Sequence, residues 1–157
     1  MLPLDSPRWG QLAQAFGSAE DVPRLLAQLD LVDDAGRREL WMALWALLAP
    51  EGRTYTAAYG ATPHLVAWAA RRPAADRALA LHLVAAVELT RGAPDAPPLP
   101  DDLAGAYAAA MDEVPAVIAA SAGEPWDPDT TQVLVSVLAI AKGHPAFGGA
   151  ALRLEGW

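Results

Sequence analysis

The chain has 157 residues, of which 54% are hydrophobic and none is cysteine, and its formal net charge is −8. The lack of cysteine excludes a disulfide framework, thiolate catalysis and cysteine-ligated metal centres. The negative charge disfavours nucleic acid as a partner, because phosphate must be neutralised by cations, and it favours a basic protein partner. The length fits one domain, residues 1–157, with a core that needs no disulfide or metal staple.

The apolar runs of this chain are too short to cross a membrane. The longest uncharged apolar runs are residues 40–49, 78–87 and 133–141, each about half of the ~20 residues that a spanning helix needs. The N-terminus, MLPLDSPRW, lacks a basic region followed by an apolar run, which predicts no export signal. We therefore expect buried core helices in a cytoplasmic protein that has no membrane partner.

The first two predicted helices form a hairpin. Ser6 is suited to cap a helix whose first residue is Pro7, and Gly17 is suited to end that helix. The apolar face of this helix carries Trp9, Leu12, Ala13 and Phe16. Ser18 and Asp21 resemble a capping box and open the second helix.

Further helices are predicted at about residues 33–50, 56–72, 74–91, 101–122 and 127–142. The proline-rich residues 92–100 predict an extended surface connection, since proline removes backbone donors. In residues 132–141, the alternating valines are compatible with a strand, but the preceding Asp-Pro-Asp favours a helix. The tail, residues 143–157, is predicted to be irregular. We expect its side chains Phe147, Leu152 and Trp157 to pack back on the helices.

A proline pattern recurs three times along the chain. In residues 22–27, 62–67 and 114–119, a proline precedes two apolar residues and an alanine. The prolines are 40 and 52 residues apart, and the longer interval contains the proline-rich connection. A period of about 40 is typical of two-helix solenoid repeats. We therefore expect an all-α solenoid of about three hairpins with a C-terminal capping helix, in which each proline begins or kinks the second helix of a hairpin.

Four stretches within residues 4–72 carry a resemblance to a known family: LDSPRWGQLAQAFGSAEDVPRLLAQL, LWALL, EGRTYTAA and PHLVAWA. The resemblance is to small bacterial HEAT-like repeat proteins, and it makes the expected solenoid a short HEAT-like one. It implies a helical-repeat fold. It also implies a role as a scaffold or as an immunity protein against a secreted toxin, and a few such proteins are enzymes.

His64, Tyr59 and Tyr55 are the candidates for catalysis. The tyrosines precede His64 by five and nine residues in one predicted helix. A histidine near two phenols can transfer protons or bind a ligand in a groove. The alternative is that all three bridge the edge of the core with their polar ends outward, and the same core-edge position is predicted for His82.

Aromatic and acidic residues are the candidates for binding. Trp41, Trp45 and Trp68 are predicted either to be core residues or to line an apolar pocket between helix pairs, together with Tyr55, Tyr59 and His64. The acids that we expect to meet a basic partner are Asp101, Asp102, Asp112 and Glu113. Helix starts in a solenoid align along one edge, so that acids at these starts add their fields.

Two functions follow from these residues. The first is a non-enzymatic interaction module, an adaptor or immunity-like protein, that holds a protein partner on one face or edge of the repeat. The second is a small-molecule-binding protein or enzyme with the aromatic pocket. The sequence has no HxxxH, HExxH or ExxH pairing of metal ligands and no glycine-rich phosphate loop, so we expect no metal and no cofactor.

Overall fold

Seven α-helices build the computed structural model, which describes residues 1–154. They are α1 Val22–Gln28, α2 Asp34–Leu48, α3 Thr56–Ala69, α4 Ala74–Thr90, α5 Asp101–Ala119, α6 Pro128–Ala141 and α7 Pro145–Ala151. A 3₁₀ turn at Pro7–Gln11 and two short strands, β1 Ala13–Gln14 and β2 Gly17–Ser18, precede them. The mostly helical fold predicted from the sequence is confirmed. Within residues 1–154, every helix is too short or too polar to cross a bilayer.

The helices pack in two layers. In one layer α3 lies between α1 and α5, and in the other α4 lies between α2 and α6. Each helix of the first layer also packs on the helix that follows it in sequence, so that α1 pairs with α2, α3 with α4 and α5 with α6. Helix α7 packs on α6. Because α3 has neighbours on several sides, 11 of its 14 residues are buried, and small residues dominate it.

Helix starts follow the sequence signals. The side chain of Asp33 accepts a hydrogen bond from Gly36 N at 2.9 Å, and that of Asp127 accepts one from Thr130 N at 2.7 Å. Both aspartates therefore cap helices where the sequence predicts helix starts. Residues 132–141 are helical within α6, so the valine alternation does not make a strand. Residues 92–100 lie between α4 and α5 without helix or strand.

The prediction of a helix over residues 7–17 is wrong. Ser6 does cap a start at Pro7, since its side chain accepts from Arg8 N at 3.2 Å, but only a 3₁₀ turn follows. The strands β1 and β2 then form an antiparallel hairpin. The side-chain amide of Gln14 bonds backbone groups of the hairpin, since it donates to Ser18 O and accepts from Phe16 N. These groups therefore do not need helical partners. Gly17 adopts a φ of 131°, which favours glycine.

The hairpin changes two further predictions. Phe16, expected on the buried face, lies at the hairpin turn and is 79% exposed. The capping box is wrong as well, since Ser18 belongs to β2 and Asp21 precedes α1 without a side-chain cap. The first helical pair is thus α1 with α2, one element later than expected.

The tail is not irregular throughout, because Pro145–Ala151 form α7. Two glycines in this segment allow close packing. A Cβ at Gly148 would lie 2.5 Å from Ser136 O and from Ile140 Cγ1, so only glycine lets α7 approach α6 to this distance. Leu152 packs against the core as expected, whereas Phe147 is 64% exposed. The expected docking of Trp157 lies outside the described residues.

Each of the repeated prolines lies in the first helix of a helical pair. Pro23, Pro63 and Pro115 lie in α1, α3 and α5, which are the first helices of their pairs. The prediction that they lie in the second helices is wrong, because the segment before α1 is the β-hairpin. Pro63 and Pro115 are inside their helices, and Pro23 is in the first turn of α1.

The carbonyl six residues after each of these prolines accepts a hydrogen bond from a side chain. Arg37 Nε donates to Leu29 O at 3.4 Å, and Arg77 Nε donates to Ala69 O at 3.1 Å. Both arginines follow their repeat's proline by 14 residues. In the third pair, Trp126 Nε1 donates to Ser121 O at 3.0 Å. The sequence repeat therefore has a structural counterpart, since a carbonyl at or just after the end of each first helix accepts from a side chain in the first turn of the second helix or, for Trp126, just before it.

Candidate functional site

Three cavities meet along the outer side of α4. Their volumes are about 730, 400 and 590 Å³. Four residues, Trp45, Leu79, His82 and Leu152, each line two of the three cavities. The cavities therefore join into one depression between α2 on one side and α6 with α7 on the other, and we call it the α4 groove.

The side chains that α4 contributes to the groove form a narrow apolar stripe. Leu79, His82, Ala86 and Leu89 line the groove at spacings of three, four and three residues. This spacing keeps side chains on one face of a helix, and it is the spacing of a coiled-coil seam. Leu79 is 49% exposed, and Met42 across the groove on α2 is 60% exposed.

Charged residues concentrate at one end of the groove. The starts of α2, α4 and α6 lie together there, as shown by the 3.8 Å ion pair of Arg37 with Asp76 and by the cavity that Leu79 shares with Asp127 and Asp129. The acids at these three helix starts thus lie along one edge, but they are a different set from the acids of α5 that the sequence analysis expected to meet a partner. At the opposite end, near Leu89, the charged lining residue is Arg153.

His82 lies half-buried in the middle of the groove, as its predicted core-edge position requires. Its ring meets that of Trp45 edge to face, with centroids 5.1 Å apart. Burial lowers the pKa of His82 below its ordinary value, because the charged form is poorly solvated there. At neutral pH the imidazole is therefore uncharged and adds to the apolar surface. The sequence did not single out His82, Leu79 or Leu152 as binding residues.

The predicted aromatic pocket is not assembled. Trp41 and Trp68 are buried and pack edge to face at 5.2 Å, and the Arg72 guanidinium lies 4.7 Å above the Trp68 ring. Trp45 faces His82 in the groove instead. The tryptophans therefore do not share one pocket. Trp41, although buried, lines the groove, whereas Trp68 belongs to the core.

The three catalytic candidates also separate. Tyr59 is 1% exposed, donates its hydroxyl to Pro97 O at 2.8 Å and packs edge to face on Tyr107. Burial raises its pKa, so phenolate chemistry at neutral pH is disfavoured. His64 Nε2 donates to Leu2 O at 2.7 Å beside Trp9. Burial lowers the pKa of His64 and keeps it neutral. Tyr55 precedes α3 and lines a separate 330 Å³ cavity.

The four predicted acids lie on α5 and are exposed. Asp102 pairs with Arg8, with Arg8 Nε 2.7 Å from Asp102 Oδ2, and the hydrogen bond from Arg8 lowers the pKa of Asp102. Asp101 lies in the first turn of α5, while Asp112 and Glu113 lie further along it. None of the four lines the α4 groove.

Comparison with known proteins gives no relative, since no protein-family model, curated protein or solved structure matches this chain. Within residues 1–154, no three histidines or carboxylates are placed to hold a metal ion. The groove is therefore interpreted from its own residues.

Tyr59→Phe tests whether this tyrosine is structural. We expect the free energy of unfolding to fall by about 1 kcal/mol, because one hydrogen bond to the proline-rich connection is lost. Limited proteolysis within residues 92–100 should become faster. Tyr55→Phe is the matched control and should change neither quantity. An unchanged proteolysis rate in Tyr59→Phe would show that this bond does not hold the connection.

Proposed function

We propose that the chain is a non-enzymatic protein-interaction module of the adaptor or toxin-immunity type, which binds its partner in the α4 groove. We further propose that its architecture is a short HEAT-like α-solenoid of three hairpins, α1–α2, α3–α4 and α5–α6, with α7 as the C-terminal cap.

Three regularities support the solenoid. First helices pack on first helices and second helices on second helices, each first helix carries one of the repeated prolines, and the carbonyl six residues after that proline accepts from a side chain. In such an array each pair buries its apolar face against the next. The replacement of arginine by Trp126 in the third pair fits a terminal repeat, where α7 follows instead of another hairpin.

The observation that carries the proposed function is the accessible apolar stripe of the α4 groove. Leu79 and Met42 stay exposed at facing positions, although the chain buries other leucines completely. The groove spans α2, α4, α6 and α7, which is wide enough to seat a protein segment. Apolar surface rimmed by polar residues is typical of protein interaction sites.

Leu79→Glu is expected to weaken partner binding at least tenfold, because it places a charge in the middle of the apolar stripe. To find the partner, a photo-crosslinking amino acid replaces Met42 in cells that make the protein. The crosslinked protein is identified by mass spectrometry and purified. Its dissociation constant is then measured by calorimetry with the wild-type chain and with each variant.

The matched control is Leu31→Glu, since Leu31 is 80% exposed and lies outside the groove. It should bind within about twofold of the wild type, as is usual for exposed positions outside a contact. Wild-type affinity in Leu79→Glu, or a partner that crosslinks from position 31 and not from position 42, would place the contact elsewhere and overturn the proposal.

A further inference from the structure

We infer that the segment held by the α4 groove is an amphipathic helix that lies antiparallel to α4, with acidic residues in its first turn and basic residues in its last. This inference rests on the proposed function, and it names the shape, direction and charge of the partner segment.

The helical shape follows from the stripe on α4. Leu79, His82, Ala86 and Leu89 repeat at the spacing by which two helices interdigitate side chains along a common seam. From Leu79 to Leu89 the stripe is about 15 Å long at ~1.5 Å per residue, which corresponds to about three turns of a partner helix. Trp45 on α2 and Leu152 after α7 stand on either side of it.

The basic end of the partner follows from Asp127 and Asp129. Both are exposed at the Leu79 end of the groove. Within residues 1–154, neither takes part in an ion pair, whereas Asp34 and Asp76 at the same end lie near Arg37. A backbone hydrogen bond from Thr130 lowers the pKa of Asp127 and keeps it ionised. Arg38 is exposed at the same end and also takes part in no ion pair within residues 1–154, but the six charged side chains there, Asp34, Arg37, Arg38, Asp76, Asp127 and Asp129, still sum to −2. This end is therefore acidic and suits a cation of the partner.

The direction follows from the two ends together. Arg153 at the Leu89 end favours an acid, and Asp127 and Asp129 at the Leu79 end favour a base. An isolated helix is itself stabilised by acids in its first turn and bases in its last. Only an antiparallel orientation satisfies both requirements, since it brings the C-terminal turn of the partner to the start of α4.

The test uses two synthetic peptides of about 16 residues, long enough for four helical turns. Both carry the same leucine stripe at the spacing of a coiled-coil seam. One has glutamates in its first turn and lysines in its last, and the other has the same charges exchanged. A hydrocarbon staple on the solvent face makes both helical, and circular dichroism verifies this. Fluorescence anisotropy measures their affinity for the whole chain.

A photo-crosslinker on the last residue of each peptide reports its direction, because the peptide with exchanged charges can form the same ion pairs by turning round. The peptide with acids first should crosslink near Leu79, and the exchanged peptide near Leu89. The double variant Asp127→Asn, Asp129→Asn should weaken both peptides about fivefold at low salt, which is roughly what two exposed ion pairs provide. Asparagine caps helices as well as aspartate does, so α6 should keep its start.

The outcomes separate this inference from the proposed function. Crosslinks of the peptide with acids first near Leu89, with binding lost in Leu79→Glu, would refute the direction and charge while the groove stayed a protein site. Binding of neither peptide, or binding that Leu79→Glu does not change, would overturn the helical partner. If sedimentation shows a dimer of the chain that Leu79→Glu dissociates, the occupant is a second copy and the inference fails.

Discussion

Arg77→Ala is expected to lower the free energy of unfolding by about 2–3 kcal/mol. The side chain is 4% exposed, its Nε donates to Ala69 O at 3.1 Å, and its Nη1 lies 3.8 Å from Glu124 Oε1. Truncation removes the side-chain hydrogen bond to Ala69 O, which keeps only the one from Arg72 N at 3.1 Å, and it opens a cavity in the place of a buried side chain. Breaking a fully buried ion pair costs about 3–5 kcal/mol. The loss of unfolding free energy expected here is smaller, because the Glu124 side chain is 36% exposed.

Urea denaturation followed by circular dichroism measures this effect. Arg38→Ala is the matched control, because Arg38 is an exposed arginine next to the equivalent residue of the first pair, and it should change stability by less than about 0.5 kcal/mol. Arg37→Ala should be destabilising for the same reason as Arg77→Ala. If Arg77→Ala proves as stable as Arg38→Ala, the capping of the first helices contributes nothing to the fold.

Gly148→Ala is expected to detach α7 from α6 and to cost about 2–3 kcal/mol, the upper range for an overpacked contact. The added methyl would lie 2.5 Å from Ser136 O, which is backbone and cannot move away without distorting α6. Displacement of α7 would also break the hydrogen bonds that Gln132 Nε2 donates to Ala151 O and Leu154 O. Leu152 would then leave the α4 groove.

Hydrogen exchange measures this detachment, because amides of residues 145–151 should lose protection before those of α4. Gly105→Ala is the control. Gly105 is exposed within α5, and a methyl group added there would point into open space, so alanine should stabilise the helix by about 0.5–1 kcal/mol. Retained protection of α7 in Gly148→Ala would show that the glycine is not required for its packing.

Helix starts were predictable because their signals are local. Asp33 and Asp127 cap helices through backbone amides three residues away, and Pro63 and Pro115 lie inside the helices that the repeat predicts. The same locality explains the failure at residues 7–17. Ser6 and Pro7 do start a turn, but the side chain of Gln14 competes for the backbone, and Ala15 N bonds to Leu47 O of α2, which no local pattern indicates.

The candidate site was less predictable than the fold. Trp45 was named from the sequence, and it lies in the groove because α2 presents it toward His82. Tyr59 was predicted as a candidate for catalysis, but in the structure its hydroxyl is bonded to Pro97 O of the proline-rich connection and is not available to a ligand. Leu79 looked like a core residue, since its apolar run has no polar face, and its exposure depends on where α2 and α6 end their contact with α4.

Local sequence is sufficient for most of the helices, for their caps and for the proline period, because each of these depends on residues within a few positions of one another. Contacts between distant segments are needed to explain why residues 13–18 form a hairpin, why α7 docks through Gly148, and why Trp41 and Trp45 face different surroundings. The α4 groove belongs to the second group. Its four shared residues come from α2, α4 and the segment after α7, and the packing of separate helices brings them together.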